Sequence, residues 1–107
     1  MGFFKRKNEK NVTRDNQFLK NYAVRSESLL MYVEENEVIT KEIRLMIEDF
    51  QYTVPSFQDK ARDLEKKIKK EFDRLTGMLE QPDCDENEIM MSVRLIRRTV
   101  ADISSLR

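Results

Sequence analysis

Residues 39–79 read ITKEIRLMIEDFQYTVPSFQDKARDLEKKIKKEFDRLTGML, and an apolar side chain recurs at every third or fourth position. Eleven such steps span 40 residues, a mean of about 3.6 residues per step, which is the period of a straight α-helix. The apolar positions are Ile39, Ile43, Met46, Phe50, Val54, Phe57, Ala61, Leu64, Ile68, Phe72, Leu75 and Leu79. The spacing therefore predicts a helical core face along this whole stretch.

Pro55 interrupts the pattern near its middle. A proline inside a helix removes a backbone hydrogen bond and clashes with the preceding turn, at a cost of about 3 kcal/mol. Ser56, with Asp59 three residues later, has the spacing of a capping box and predicts that a helix restarts there. Two descriptions stay open: one helix bent at Pro55, or two helices with the second running from Ser56 to Leu79.

Helical periodicity continues upstream. A first helix of about 20 residues is predicted from Thr13 onwards, with an apolar stripe that loses phase before Ile39. The stripe residues are Phe18, Tyr22, Leu29 and Val33. Asn36 is expected either to end this helix or to cap the next one.

Downstream, Gly77 is expected to end the preceding helix early, and a loop is predicted over residues 80–85. Asp85 is expected to cap a last helix from Glu86 to about Leu106. Its apolar stripe consists of Ile89, Val93, Ile96, Val100 and Ile103.

Composition supports a helical class. Two glycines and two prolines in 107 residues provide too few turn signals for a β-sandwich or a β-barrel. We therefore predict an all-α fold, an antiparallel three- or four-helix bundle formed by residues 13–107 as a single domain. Residues 1–12 show no helical apolar repeat and are expected to form a flexible basic and aromatic arm.

Composition also excludes several activities. The chain has no histidine and one cysteine, so the commonest general base and the usual zinc ligand sets are missing. We expect no catalytic, cofactor or metal site, no small-molecule substrate and no enzyme activity. Twenty basic and twenty acidic residues cancel, and nucleic acid is therefore not an expected partner. The weak candidate patch for nucleic acid combines Arg94, Arg97 and Arg98 with the arm.

Residues 83–87 contain two further weak candidates for chemistry. Asp83, Asp85 and Asn87 have the spacing that opens a calcium loop, but Glu88 replaces its required glycine. Helix capping is the preferred interpretation of these acids. Cys84 lies between two aspartates and is expected to be an exposed thiol of low reactivity.

Apolar side chains that lie off the core stripes indicate a surface for partners. Candidate partner-binding residues are Met31, Leu45, Met90, Met91 and Leu95, and methionine is favoured where surfaces adapt to partners. A net charge of zero gives little repulsion between copies. We therefore expect a non-enzymatic protein interaction or self-assembly module, a homo-oligomer or a binder of another protein, in the cytoplasm.

The arm supports an alternative function. Phe3 and Phe4 precede Lys5, Arg6 and Lys7, and residues 1–20 carry a net charge of +4, against −4 for residues 21–54. Aromatic rings beside a basic cluster are typical of contact with an anionic membrane surface. The alternative is thus a peripheral membrane adaptor that uses these five residues.

Overall fold

The computed structural model describes residues 17–106, whose regular secondary structure is entirely helical. Helix α1 covers residues 17–29 and leads into a 3-10 turn, Leu30–Tyr32. Helices α2 (Glu37–Tyr52), α3 (Asp59–Leu79) and α4 (Glu86–Ser104) follow. The described residues confirm the all-α prediction. The predicted arm and the predicted helix start at Thr13 lie outside them.

Pro55 divides two helices. Residues 53–58 are not helical, which gives the four-helix description, and Thr53 already has an extended backbone. Proline disfavours the helical conformation of the residue before it, so α2 ends before Val54. The predicted start at Ser56 is wrong, because α3 begins at Asp59. The Ser56 hydroxyl instead accepts a hydrogen bond from the Gln58 amide at 3.2 Å.

Two of the predicted helix caps are confirmed. The Asn36 side chain accepts a hydrogen bond from the Ile39 amide at 3.0 Å, so Asn36 caps α2. Asp85 accepts from the Asn87 amide at 2.9 Å and caps α4. Gly77 does not end α3, which continues two residues further. Each cap satisfies an amide that the helix itself leaves without a partner.

Contacts between distant residues give the directions of the helices. The Gln58 side chain, before α3, donates to the carbonyl of Leu106, after α4, so these two helices run antiparallel. In α1, the Tyr22 ring lies 5.8 Å from the Phe50 ring late in α2 and 4.9 Å from the Phe72 ring of α3. The start of α1 therefore lies beside the end of α2, in the antiparallel arrangement that was predicted.

The core confirms the apolar stripes except at the corner between α2 and α3. Val54 and Phe57, predicted in the core, are 50% and 67% exposed, because they fall in the non-helical connection. Leu64 is half-buried. The most deeply buried large side chains are Phe50, Phe72, Ile43, Met46, Ile68, Leu75, Ile96 and Ile103. Since the periodic pattern runs through the corner unbroken, periodicity alone did not reveal the break in structure.

Candidate partner-binding surfaces

Helix α4 carries a second stripe of residues beside its buried face. Glu88, Met91, Leu95 and Arg98 follow one another at steps of three, four and three residues, and we call them the outer stripe. At 100° per residue they lie on one face, whose centre is turned by roughly 120° from the centre of the buried face of the same helix. Met91 is 71% exposed and Leu95 is 47% exposed. α4 thus presents apolar side chains on a second face besides its buried one.

A groove of about 450 Å³ lies along the outer stripe, between α4 and α3. Its α3 wall contains Glu71 and Arg74. The Glu71 carboxylate accepts a hydrogen bond from the Ser92 hydroxyl at 2.7 Å and pairs with Arg74 at 3.5 Å. The acid on this wall is therefore already satisfied within the bundle.

The charges at the edges of the groove have no such partners. Within residues 17–106, Glu88, Arg94 and Arg98 form no ion pair, and all three are exposed. They flank the two apolar side chains of the outer stripe. An incoming surface with matching charges can therefore pair with them without breaking an existing ion pair.

Arg97, unlike Arg98, forms ion pairs with acidic residues of α2. Its guanidinium donates from Nε to Asp49 and from Nη1 to Glu42, both at 2.7 Å, and so links α4 to α2. The hydrogen bond to Asp49 is the main cause that raises the pKa of Arg97. Arg97 is half-buried against α2, so of the three arginines in the candidate basic patch only Arg94 and Arg98 have no acidic partner within residues 17–106.

The predicted partner-binding residues do not form one surface. Met31 is exposed in the 3-10 turn, whereas Leu45 and Met90 are half-buried on different helices. Met90 packs against the core cluster. Met91 and Leu95 alone share a groove. The sequence analysis placed Arg94 and Arg98 in a candidate nucleic-acid patch and did not connect them, or Glu88, with Met91 and Leu95, although the repeated spacing of the outer stripe is visible in the sequence.

A second apolar surface lies at the corner between α2 and α3. Tyr52, Val54 and Phe57 are all exposed there, Tyr52 to 79%. The corner is at the same end of the bundle as the start of α1, because Tyr22 lies beside Phe50. The arm candidates Phe3, Phe4, Lys5, Arg6 and Lys7 precede this end of α1 and lie outside the described residues.

Two of the residues 83–87, Cys84 and Asp85, contribute to the local structure. The Asp85 carboxylate is occupied by the capping hydrogen bond, and residues 17–106 contain no cluster of three or more side chains suited to hold a metal ion. Cys84 is half-buried and packs against the core, so the expectation of an exposed thiol is wrong. The loop lies close against the bundle end, which covers part of this side chain.

Comparison with known proteins yields no match to a family model, to a curated protein or to a solved structure. In the part of the chain that the structure describes, no helix combines the length and the apolar character needed to cross a membrane.

Proposed function

We propose that this chain is a non-enzymatic interaction module that binds a partner protein through the outer stripe of α4. The observation that carries the proposal is the exposure of Met91 and Leu95 side by side, between charges that have no partner within residues 17–106. Large apolar side chains in a polar rim are typical of protein-binding surfaces. The absence of histidine from the sequence supports the non-enzymatic part of the proposal.

The size of the surface indicates a modest affinity. Full burial of a leucine or methionine side chain contributes about 1.5–3 kcal/mol, and the exposed parts of Met91 and Leu95 correspond to roughly 2–3.5 kcal/mol together. Association costs several kcal/mol in lost freedom, so the flanking charges must contribute as well. A partner that matches both the apolar pair and the charges is therefore expected.

Site-specific photocrosslinking tests this proposal. A photoreactive phenylalanine analogue placed at Leu95 should give covalent protein adducts in cells, because the side chain lies in the contact. The matched control is the same analogue at Val24, an exposed position on α1. Replacement of Met91 by glutamine should remove the adducts at position 95. Equal adduct formation at both positions, or none at position 95, would contradict the proposal.

A second function, peripheral membrane binding, is favoured by one observation. The exposed Tyr52, Val54 and Phe57 lie at the end of the bundle where the chain enters from the arm. Aromatic side chains are enriched at membrane interfaces, and the basic cluster of the arm matches an anionic surface. The corner and the arm together offer both interactions that such binding needs.

Vesicle co-sedimentation tests the second function. The full chain should sediment with vesicles that contain anionic phosphatidylserine and should stay in solution with neutral phosphatidylcholine vesicles. A chain that begins at Asn11, and separately the Phe57→Ser variant, should each sediment less. The membrane function is refuted if the full chain and the shortened chain sediment equally. Val24→Ser serves as the matched surface control.

A further inference from the structure

We infer that the partner of the outer stripe is a second copy of this chain, bound as a two-fold symmetric dimer in which the two α4 helices run antiparallel. The inference rests on the proposed function, since it names the occupant of the same surface. Its basis is the order of residues along the stripe, which is acidic, apolar, apolar and basic, namely Glu88, Met91, Leu95 and Arg98. When a second stripe runs in the opposite direction, each acidic residue faces a basic one and each apolar residue faces an apolar one.

The antiparallel pairing satisfies every member of the stripe. With the two-fold axis level with Val93, Met91 lies opposite Leu95 of the partner subunit, and Glu88 lies opposite Arg98 of the partner subunit. Symmetry repeats both contacts, so the dimer contains two apolar pairs and two ion pairs. Steps of three and four residues along one face are those with which helices pack against each other in this way. Two-fold dimers are also the commonest closed oligomers.

Other pairings of the same stripe are less favourable. A parallel pairing keeps the apolar contacts but places the two Glu88 side chains together and the two Arg98 side chains together. An antiparallel pairing shifted by one heptad places Arg98 of the partner subunit against Leu95. Like charges in contact and charges against apolar groups both oppose association. The order of the stripe therefore selects both the direction and the register.

The availability of these groups agrees with the pairing. Glu88 and Arg98 form no ion pair within residues 17–106, so dimer formation gains an interaction for each of them without losing one. The buried face of α4 is fully used inside the bundle, where Val93, Ile96 and Val100 have no exposure. The zero net charge of the chain leaves little long-range repulsion between two copies.

Arg94 provides a specific test of the register. It flanks the outer stripe, and the proposed axis brings the two Arg94 side chains to the same side of the dimer, within about 3 Å of each other along the helix direction. Their charges repel, so Arg94→Ala should tighten the dimer by about two- to threefold. If the stripe instead binds an acidic helix of another protein, the same substitution removes an attraction from that contact.

Sedimentation equilibrium of the full chain over a range of concentrations, with reductant to keep Cys84 reduced, measures the dimer dissociation constant. Glu88→Arg alone and Arg98→Glu alone each turn two attractive pairs into two repulsive pairs. Each should raise the Kd about tenfold, equivalent to about 1.4 kcal/mol. The combined variant, Glu88→Arg with Arg98→Glu, restores opposite charges and should return the Kd to within about threefold of the original. Glu35→Arg, an exposed charge reversal before α2, is the matched control.

The outcomes distinguish this inference from the proposed function. Circular dichroism of each variant establishes that it is folded. A dimer weakened by each single reversal and restored by the combined variant supports the inference, as does tightening by Arg94→Ala. A monomer at every concentration, a combined variant as weak as the single ones, or weakening by Arg94→Ala would overturn it. Photocrosslinking at position 95 that yields adducts with another protein, and none of twice the mass of this chain, would overturn the dimer while leaving the proposed function intact.

Discussion

Replacing Arg97 by methionine should destabilise the bundle by about 2–3 kcal/mol. Arg97 forms two charge-assisted hydrogen bonds of 2.7 Å, to Asp49 and Glu42, and its side chain is 30% exposed. Such bonds contribute about 1.5–3 kcal/mol each when buried, and partial exposure reduces this to about 1 kcal/mol or slightly more. Methionine keeps the apolar stem of the side chain, so the loss reports the guanidinium and not the packing.

Part of the lost stability comes from Glu42 and Asp49, which keep their charges after Arg97 is replaced. Glu42 has 14% of its side chain exposed, so removal of Arg97 leaves a charge that is poorly hydrated. Replacing Glu42 by glutamine and Asp49 by asparagine in the Arg97→Met background should therefore recover part of the lost stability. Arg97→Lys keeps a charge but lacks the planar fork that reaches both acids, and should lose about half as much as Arg97→Met.

Urea denaturation followed by circular dichroism at low protein concentration measures these changes. For a domain of this size, a loss of about 2.5 kcal/mol corresponds to a fall in Tm of roughly 10–20 °C. Arg98→Met is the matched control, because the neighbouring arginine forms no ion pair within residues 17–106 and should change stability by less than about 0.5 kcal/mol. Equal effects of the two substitutions would refute the assignment of Arg97 as a link between α2 and α4.

Three further predictions concern single positions. Burial raises the pKa of Tyr22, so the folded state favours the neutral phenol. The stabilisation that results from this preference is complete below the unfolded pKa of about 10 and is lost as the pH rises through the folded pKa. Urea denaturation across this range should show a loss of stability that Tyr22→Phe removes and that replacing the exposed Tyr52 by phenylalanine leaves in place. Gly77→Ala should raise the unfolding free energy by about 0.5–1 kcal/mol, because Gly77 lies inside α3 without a positive φ and an added Cβ meets no atom within 4 Å; a lower Tm would contradict this. Asp85→Ala should lower the unfolding free energy by about 1 kcal/mol, because the α4 cap is lost. An unchanged urea midpoint would show that the cap does not stabilise the helix.

The helices themselves were largely predictable because their signals are local. The apolar periods of α2, α3 and α4, and the capping residues Asn36 and Asp85, depend on neighbours three or four residues away, which the sequence displays directly. Prediction failed where several local signals competed. Ser56 has a plausible capping sequence, but its hydroxyl accepts from the Gln58 amide inside the connection, and α3 begins three residues later.

The corner shows why periodicity alone was misleading. Val54 and Phe57 continue the apolar pattern of α2 into that of α3, yet both are exposed. A break in the backbone changes which way a side chain faces, and a count of residues does not register such a break. The half-burial of Cys84 could not be predicted from local sequence either. It results from packing of the loop against core residues that lie in other helices.

The candidate surface was predicted only in part. Met91 and Leu95 were identified because they lie off the core stripe, but Leu45 and Met90 share that property and are half-buried. The apolar pattern of one helix does not predict how much of its surface the neighbouring helices cover. The charges were harder still, since Arg94, Arg97 and Arg98 are alike in sequence, and contacts with Asp49 and Glu42 separate Arg97 from the other two.

By itself, the sequence determined the helical class, most helix boundaries to within a few residues and most residues of the core, because backbone hydrogen bonding and side-chain period act over one or two turns. Tertiary structure alone decided that Pro55 separates two helices, that Arg97 links α4 to α2 and that Arg98 is left without a partner within residues 17–106. Those outcomes depend on which helices are neighbours. That is a matter of contacts between residues up to 55 positions apart, as for Arg97 and Glu42.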